Sequence, residues 1–342
     1  VSHEPGADPP APAGSFLIVR LGALGDVVHA IPVVAALREA HPGARIGWIV
    51  HPRFAPLLHL VEGLDHVYPL ERRSGAHAIR DVRRDRYDVC LDLQGLIKSA
   101  AVARFSGARR VIGFSRPLLR ESAAALAYTE SGGDGGGHVI DKNLSLLTLL
   151  GADTRARRFP LRIPETPVVS CTREILGVGR DGPFALLNPG AAWPNKRWPP
   201  ERFGEVARQL RERLGLRTAV LWGPDEATLA AAVARASGDA ARMAPQTTMV
   251  EMLALAQASS VLVSGDTGPL HLAAAVGTPV VGLYGPTPPG RNGPWDPRDT
   301  VVSSHGSCAC VFKRQCTART WCLEQVTADA VTAAVISRLG AA

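Results

Sequence analysis

The sequence predicts an α/β protein made of two doubly wound, Rossmann-like domains in series. Three observations predict it. Short apolar runs alternate with helix-like stretches along nearly the whole chain, which is the grammar of a parallel sheet. The runs are continuous in their apolar character, so both faces of each sheet need helical cover. The grammar then restarts after a Pro- and Arg-rich stretch at 155–167 (RARRFPLRIPETP). With 342 residues, 46% of them hydrophobic, the chain can form two domains of roughly 150 residues, each with its own core.

Residues 1–15 (VSHEPGADPPAPAGS) contain no apolar segment and read as a disordered leader, not a signal peptide. Order begins at Phe16. The run 16–21 is a strand, Gly22 and Gly25 turn the chain out of it, and 27–40 is a helix. Residues 44–50 and 66–70 are strands with a short helix at 54–61 between them, and a charged segment follows at 71–86. Strand and turn occupy 87–95, a helix 96–105 and a further strand 110–114. A loop or lid broken by SGGDGGG lies at 123–137, before a helix at 138–151. In the second half, strands are expected at 184–188, 217–223, 260–265 and 278–285. Helices are expected at 200–214, 225–237, 249–259 and 268–277. A last helix, 327–339, can pack on either domain. The expected boundaries are 16–165, 166–326 and 327–342. Ligands of such sheets bind beyond the C-terminal ends of the strands, so the natural site is a cleft between the two domains.

Net charge is +7, and only four of the basic residues are lysines: Lys98, Lys142, Lys196 and Lys313. Spread over this length, that charge is no sign of nucleic-acid binding. It suits an anionic substrate or an anionic membrane surface. No run approaches the length of a transmembrane helix.

The first glycine turn, RLGALGDVVHAIP (20–32), has G-x-x-G spacing instead of G-x-G-x-x-G. No acidic residue follows the second strand to bind a ribose, which disfavours a dinucleotide site and a dehydrogenase. Asp26 stands at the helix start, either as a cap or as a carboxylate placed to accept a proton. His29 lies one turn on, as a second polar site residue or a packed one. In the second half, the loop NPGAAWPNKRWP (188–199) carries Lys196, an ammonium suited to a phosphate oxygen. The segment SGDTGPLHLAAAVGTP (264–279) puts Asp266, Thr267, Gly268 and His271 at a helix N-terminus, whose free N–H groups suit a diphosphate. The loop WGPDEA (222–227) brings Asp225 and Glu226 to the same edge, where one could hold a ribose diol.

Taken together, RLGALGDVVHAIP, DLQGLIKSA (92–100), NPGAAWPNKRWP and SGDTGPLHLAAAVGTPVVGLYGPT (264–287) resemble the ADP-heptose:lipopolysaccharide heptosyltransferases, glycosyltransferase family 9, of the GT-B fold. The resemblance runs from about Phe16 to Leu339. DLQGLIKSA and HVIDKNLSLL (138–147) look most like the heptosyltransferase I branch. The resemblance implies Asp26 as general base, Lys196 on the donor phosphates, and Asp266, Thr267, Gly268 and His271 around the diphosphate. It also implies Glu226, in preference to Asp225, on the ribose, and Lys98, with Gly25 and His29, toward the acceptor. The reaction it implies is a single displacement with inversion, needing no cofactor and no catalytic metal. Its partners would be an ADP-sugar donor and an anionic, lipid-linked sugar, met on the cytoplasmic face of the inner membrane. The family often carries Ser or Thr pairs where this chain has Ala191 and Ala192, so hydroxyl contacts to phosphate from that loop are lost. Heptosyltransferase II, another donor or acceptor, and a non-catalytic sugar-binding paralogue are the alternatives.

Six cysteines are present. Cys90 and Cys171 read as inert buried thiols. Cys308, Cys310, Cys316 and Cys322 crowd into CACVFKRQCTARTWC (308–322). The readings open are a structural zinc or iron knuckle, disulfides, or packed free thiols.

Overall fold

The computed structural model describes residues 14–71, 75–134, 136–155 and 157–340. Most of the expected leader (1–13), together with Arg72 and Arg73, therefore lies outside the described residues. The chain divides into two compact units. One runs to Gly136 and takes in Ile140–Pro160; the other comprises Gly137–Val139 and everything from Leu161 onward.

The first unit holds strands β1 (Ser15–Val19), β2 (Arg45–Val50), β3 (His66–Pro69), β4 (Val89–Asp92), β5 (Arg110–Phe114) and β6 (Glu130–Gly132). The second holds β7 (Phe184–Asn188), β8 (Arg217–Val220), β9 (Ala241–Met243), β10 (Val261–Gly265), β11 (Val280–Tyr284) and β12 (Thr300–Ser303). The sheet orders are β3-β2-β1-β4-β5-β6 and β12-β11-β10-β7-β8-β9, and every pairing is parallel. Counted within its own unit, each sheet has the order 3-2-1-4-5-6. Each therefore reverses direction between its first and fourth strands, the point where doubly wound sheets open a crevice at their C-terminal edge.

The continuous apolar runs form the sheet centres. Phe16, Leu17, Ile18 and Val19 have no exposed surface, nor do Phe184, Ala185, Leu186 and Leu187. Burying one such large side chain contributes about 1.5–3 kcal/mol relative to exposure. The last helix, Ala328–Leu339, joins the second unit: Val331 and Val335 share a core with Val281 and Leu283.

Several elements differ from expectation. The helix expected at 27–40 is two, Leu24–Val28 and Ile31–Ala40, with Pro32 in the first turn of the second. Pro32 lacks the N–H that would continue the first helix. The charged segment contains a helix, Gly75–Asp85. The loop at 123–137 contributes the edge strand β6, and β9 and β12 also went unforeseen. All three are short and only partly buried. Among the described residues no helix is long and apolar enough to cross a membrane.

Candidate functional site

The crevice of the second sheet lies between β7 and β10, and the polar groups of the second unit collect there. Asn188, the last residue of β7, donates from Nδ2 to Ser264 Oγ (2.9 Å) and Thr267 Oγ1 (3.1 Å), joining the ends of the two strands. The loop that follows runs through Trp193 and a short 3₁₀ turn, Pro194–Lys196. Trp198 anchors its far end. It is 1% exposed, packs edge-on against Phe203 and donates from Nε1 to Val326 O at 3.1 Å. Gly265 lets the loop close in, since a Cβ there would stand 2.8 Å from Lys196 O.

Asp266 is the centre of the group. Its carboxylate takes hydrogen bonds from Lys196 Nζ (2.5 Å), His271 Nε2 (3.1 Å), Asn292 Nδ2 (2.7 Å) and Thr287 Oγ1. Its side chain is only 3% exposed. Burial alone would raise this carboxyl. The hydrogen bond and charge of His271, with the charge of Lys196, override burial and hold it well below the usual carboxylate range. The Lys196 ammonium also donates to Asp266 O (3.2 Å) and lies 4.7 Å from the Trp193 ring centroid. A partly buried cation thus stands, fixed from three sides, at the C-terminal edge of the sheet.

The helix Gly268–Ala275 begins here, after Thr267, whose hydroxyl is taken by Asn188 and Ser264 instead of the helix N–H groups. Pro269 in its first turn has no N–H, so fewer backbone donors face an anion than the sequence pattern suggested. Asp266 and His271 are both buried, and the imidazole Nε2 bonds the aspartate. Asp266 thus ties Lys196, and His271 bonds Asp266, from inside the unit.

Glu226 and Asp225 separate. Asp225 is exposed, at a positive φ of 64°. Glu226 caps the helix Ala227–Ala236 and accepts from Gly223 N at 2.9 Å. It lies against Gly190, where a Cβ would come within 2.2 Å of Glu226 Oε2. Glu226 therefore sits beside the β7 loop.

In the first unit the corresponding crevice lies between β1 and β4. Asp26 is in the first turn of Leu24–Val28, accepting from Ala23 N at 3.2 Å. Arg20 Nη2 pairs with it at 2.8 Å, and the Asp26 side chain remains 36% exposed. Gly25 is partly exposed beside it. Lys98 is exposed at the start of the helix Ile97–Phe105, which follows β4. His29 takes the packed place of the two expected: at 1% exposure its ring lies inside the unit. Several arginines of this unit are paired with acids. Arg109 pairs with Asp88, Arg110 with Glu130, and Arg84 with Asp81 and Asp85.

The cysteines also need correction. Cys171 is exposed on the helix Pro167–Leu176. In the 308–322 cluster all four thiols are free, and Cys308 Sγ lies 3.7 Å from Cys310 Sγ. Among the described residues no three or more His, Cys, Asp or Glu side chains are gathered to hold a metal ion. A structural zinc or iron at this cluster therefore gains no support.

Arg20, Asn188, Asn195, Thr287 and Asn292 escaped sequence reasoning. Each is a common polar residue in a loop or at a strand end, and only the folded chain brings it to its aspartate, to its strand partner or, for Asn195, to the 310–313 segment.

Comparison with known proteins follows the same lines. The profile of glycosyltransferase family 9 (heptosyltransferase) matches residues 76–322. Lipopolysaccharide heptosyltransferase 1 of Pseudomonas aeruginosa is 28% identical over 317 residues, covering 88% of this chain and 87% of that protein. Among solved structures, E. coli heptosyltransferase WaaC with ADP superposes with a TM-score of 0.73 at 24% identity, over 93% of this chain and 96% of that one. E. coli ADP-heptose lipopolysaccharide heptosyltransferase II reaches a TM-score of 0.76 at 21% identity, over 95% and 98%.

Proposed function

The chain belongs to glycosyltransferase family 9, and from that premise we propose that it transfers L-glycero-D-manno-heptose from ADP-heptose to the Kdo region of the lipopolysaccharide inner core. The observation that carries the donor half is the Lys196–Asp266 pair at the β7/β10 crevice. It holds an ammonium in place before any ligand arrives, so none of its reorganisation falls in the transition state. The departing diphosphate develops negative charge, and Lys196 meets it. The N–H groups of Thr267 and Gly268 at the helix start add to this. Glu226 takes the ribose diol.

On the acceptor side, Asp26 removes the proton of the attacking hydroxyl as that oxygen adds to the anomeric carbon. Arg20 holds the Asp26 carboxylate in position. One displacement inverts the configuration. Lys196 supplies the positive charge that a divalent ion would otherwise bring, so the reaction should proceed in EDTA. Lys98 faces the anionic acceptor.

A peripheral seat on the anionic inner leaflet fits the exposed face of the first unit. Ile97 and Phe105 are 54% and 65% exposed at the two ends of one helix, and Leu126, on an adjoining turn, is 88% exposed. Lys98 and Arg104 are exposed on the same helix, and Arg116 and Arg120 are exposed shortly before the turn, where Glu121 accepts from Ile97 N. Apolar side chains flanked by cations are what an interfacial helix offers an anionic bilayer.

The test is a donor and acceptor panel: ADP-, GDP- and UDP-sugars against deacylated Kdo-lipid A, with products followed by mass. The expected result is a heptose increment from the ADP donor alone, without added Mg²⁺. Transfer only to an acceptor already bearing one heptose would move the chain to the heptosyltransferase II reaction, whose solved structure it fits equally well in fold. Binding of ADP-heptose without any transfer would support the non-catalytic paralogue.

A further inference from the structure

The four-cysteine segment is not isolated from the donor site. Asn195, the neighbour of Lys196, is 5% exposed, and its Nδ2 donates to Lys313 O (2.8 Å) and to Cys310 Sγ (3.5 Å). Two residues beyond Cys310, Phe312 N donates to Pro286 O at 2.8 Å. Pro286 precedes Thr287, which bonds the Asp266 carboxylate. The stretch 310–313 thus grips the chain beside two of the groups that hold Asp266, one on each side. Arg314 adds a contact 5.9 Å from the Trp193 ring, on which Lys196 also rests. Asn195 Oδ1 is buried with no hydrogen-bond partner. The amide is therefore kept in place by its two donor contacts alone, one of them to a sulfur.

A second thiol stands beside that sulfur. Cys308 is partly exposed and stands 3.7 Å from buried Cys310. We propose that Asn195 is a positioning residue for the donor lysine and that the Cys308–Cys310 thiol pair is a redox latch on it. The proposal rests on the reading of Lys196 as the diphosphate ligand. The chemistry is thiol–disulfide exchange with a low-molecular-weight disulfide such as glutathione disulfide. The Cys308 thiolate attacks one glutathione sulfur and expels one glutathione thiolate. The Cys310 thiolate then displaces the second glutathione and closes the S–S bond. The protein thiols give up two protons to solvent, and their two electrons leave with the two glutathione molecules. An S–S bond is about 2.05 Å long, so the sulfurs must approach each other by well over an ångström. That movement draws Cys310 Sγ away from the Asn195 amide, which loses one of its two donor contacts beside Lys196.

The experiment compares the full-length protein after dithiothreitol and after glutathione disulfide. Thiols are mapped by peptide mass, ADP binding is measured by calorimetry, and Trp193 is followed by fluorescence, with Trp193→Phe to assign the signal. Oxidation should form the Cys308–Cys310 disulfide and weaken ADP binding about tenfold, the scale of one hydrogen bond that positions a charge. It should also change Trp193 emission, and dithiothreitol should reverse all three. Cys308→Ser should bind ADP like the parent and ignore the oxidant. Asn195→Ala should show the weaker binding already when reduced, and oxidation should weaken it no further. The latch is overturned by unchanged ADP affinity and Trp193 emission in protein shown to carry the disulfide. It is overturned equally by a disulfide between other cysteines, or by a stoichiometric metal held by the four thiols of reduced protein. If Trp193 responds to oxidation but reduced protein does not bind ADP, the latch stands and the donor reading of Lys196 fails.

Discussion

Asp92 and Asp266 occupy matching places in the two sheets. Asp92 ends the fourth strand of the first unit, and Asp266 directly follows the fourth strand of the second. Both are buried, yet they titrate in opposite directions. Asp92 accepts only from neutral donors: Tyr128 OH (2.8 Å), Ser99 Oγ (3.0 Å), Gln94 N (2.9 Å) and Gly95 N (3.2 Å). Burial dominates there and raises its carboxyl. Asp266 has Lys196 and His271 as partners, and its carboxyl is lowered in spite of burial. The same position in a repeated topology thus serves two ends. With neutral donors the carboxylate closes a turn; with a cation it fixes a charge at the sheet edge. In the first unit the partly exposed carboxylate beside the crevice is Asp26, paired with Arg20; the proposed function gives it the proton and gives the second crevice the anion.

Removing the chemistry from the first crevice should have the largest effect. Asp26→Asn should lower kcat by about 10²–10⁴, the range of a general base, with ADP affinity by calorimetry close to the parent's. Near-normal turnover would leave the first crevice without its role. Next is the cation of the second crevice. Lys196→Ala should weaken ADP binding and lower kcat/KM on the order of 100-fold, while adenosine binds as before. Equal losses for ADP and adenosine would mean a disturbed fold instead of a lost phosphate contact.

The two buried aspartates can be set against each other directly. Asp266→Asn breaks a buried charge pair and should cost about 3 kcal/mol in urea unfolding. Asp92→Asn keeps neutral hydrogen bonding and should cost about 1 kcal/mol or less. Similar costs would dissolve the contrast. The smallest effect is the pH dependence of stability. Asp266 has a folded pKa below its unfolded value near 3.9, so its contribution is complete above about pH 4 and fades as pH falls below that. Asp92 has a folded pKa above its unfolded value, so its contribution is complete below about pH 4 and is lost as pH rises through the folded pKa. Asp266→Asn should therefore flatten the acid limb of the stability curve, and Asp92→Asn the fall on its alkaline side.

Much of this was legible in the residues. The apolar runs at 16–19 and 184–188 could only be central strands. The glycine turn marked Asp26, and a lysine between Trp193 and Trp198 marked Lys196, because rigid aromatic and proline neighbours restrict a loop enough to aim one charge. The preference for Glu226 over Asp225 rested on the resemblance alone. In the folded chain Glu226 lies against Gly190, whose lack of a side chain leaves it room beside the β7 loop.

What the sequence determined by itself was local and periodic: which runs enter a sheet, where the chain turns, and which charged residues sit at strand ends. Tertiary structure alone decided the rest. The edge strands β6, β9 and β12 are too short and too exposed to stand out, and they exist because a neighbouring strand offers them partners. His29 and His271 have the same polar ring as any surface histidine, and only packing puts them inside. The group around Asp266 joins residues as far apart as Lys196 and Asn292. Hydrogen bonds across such separations cost chain entropy that no local pattern records, so they form only after the parallel sheet has brought its strand ends together.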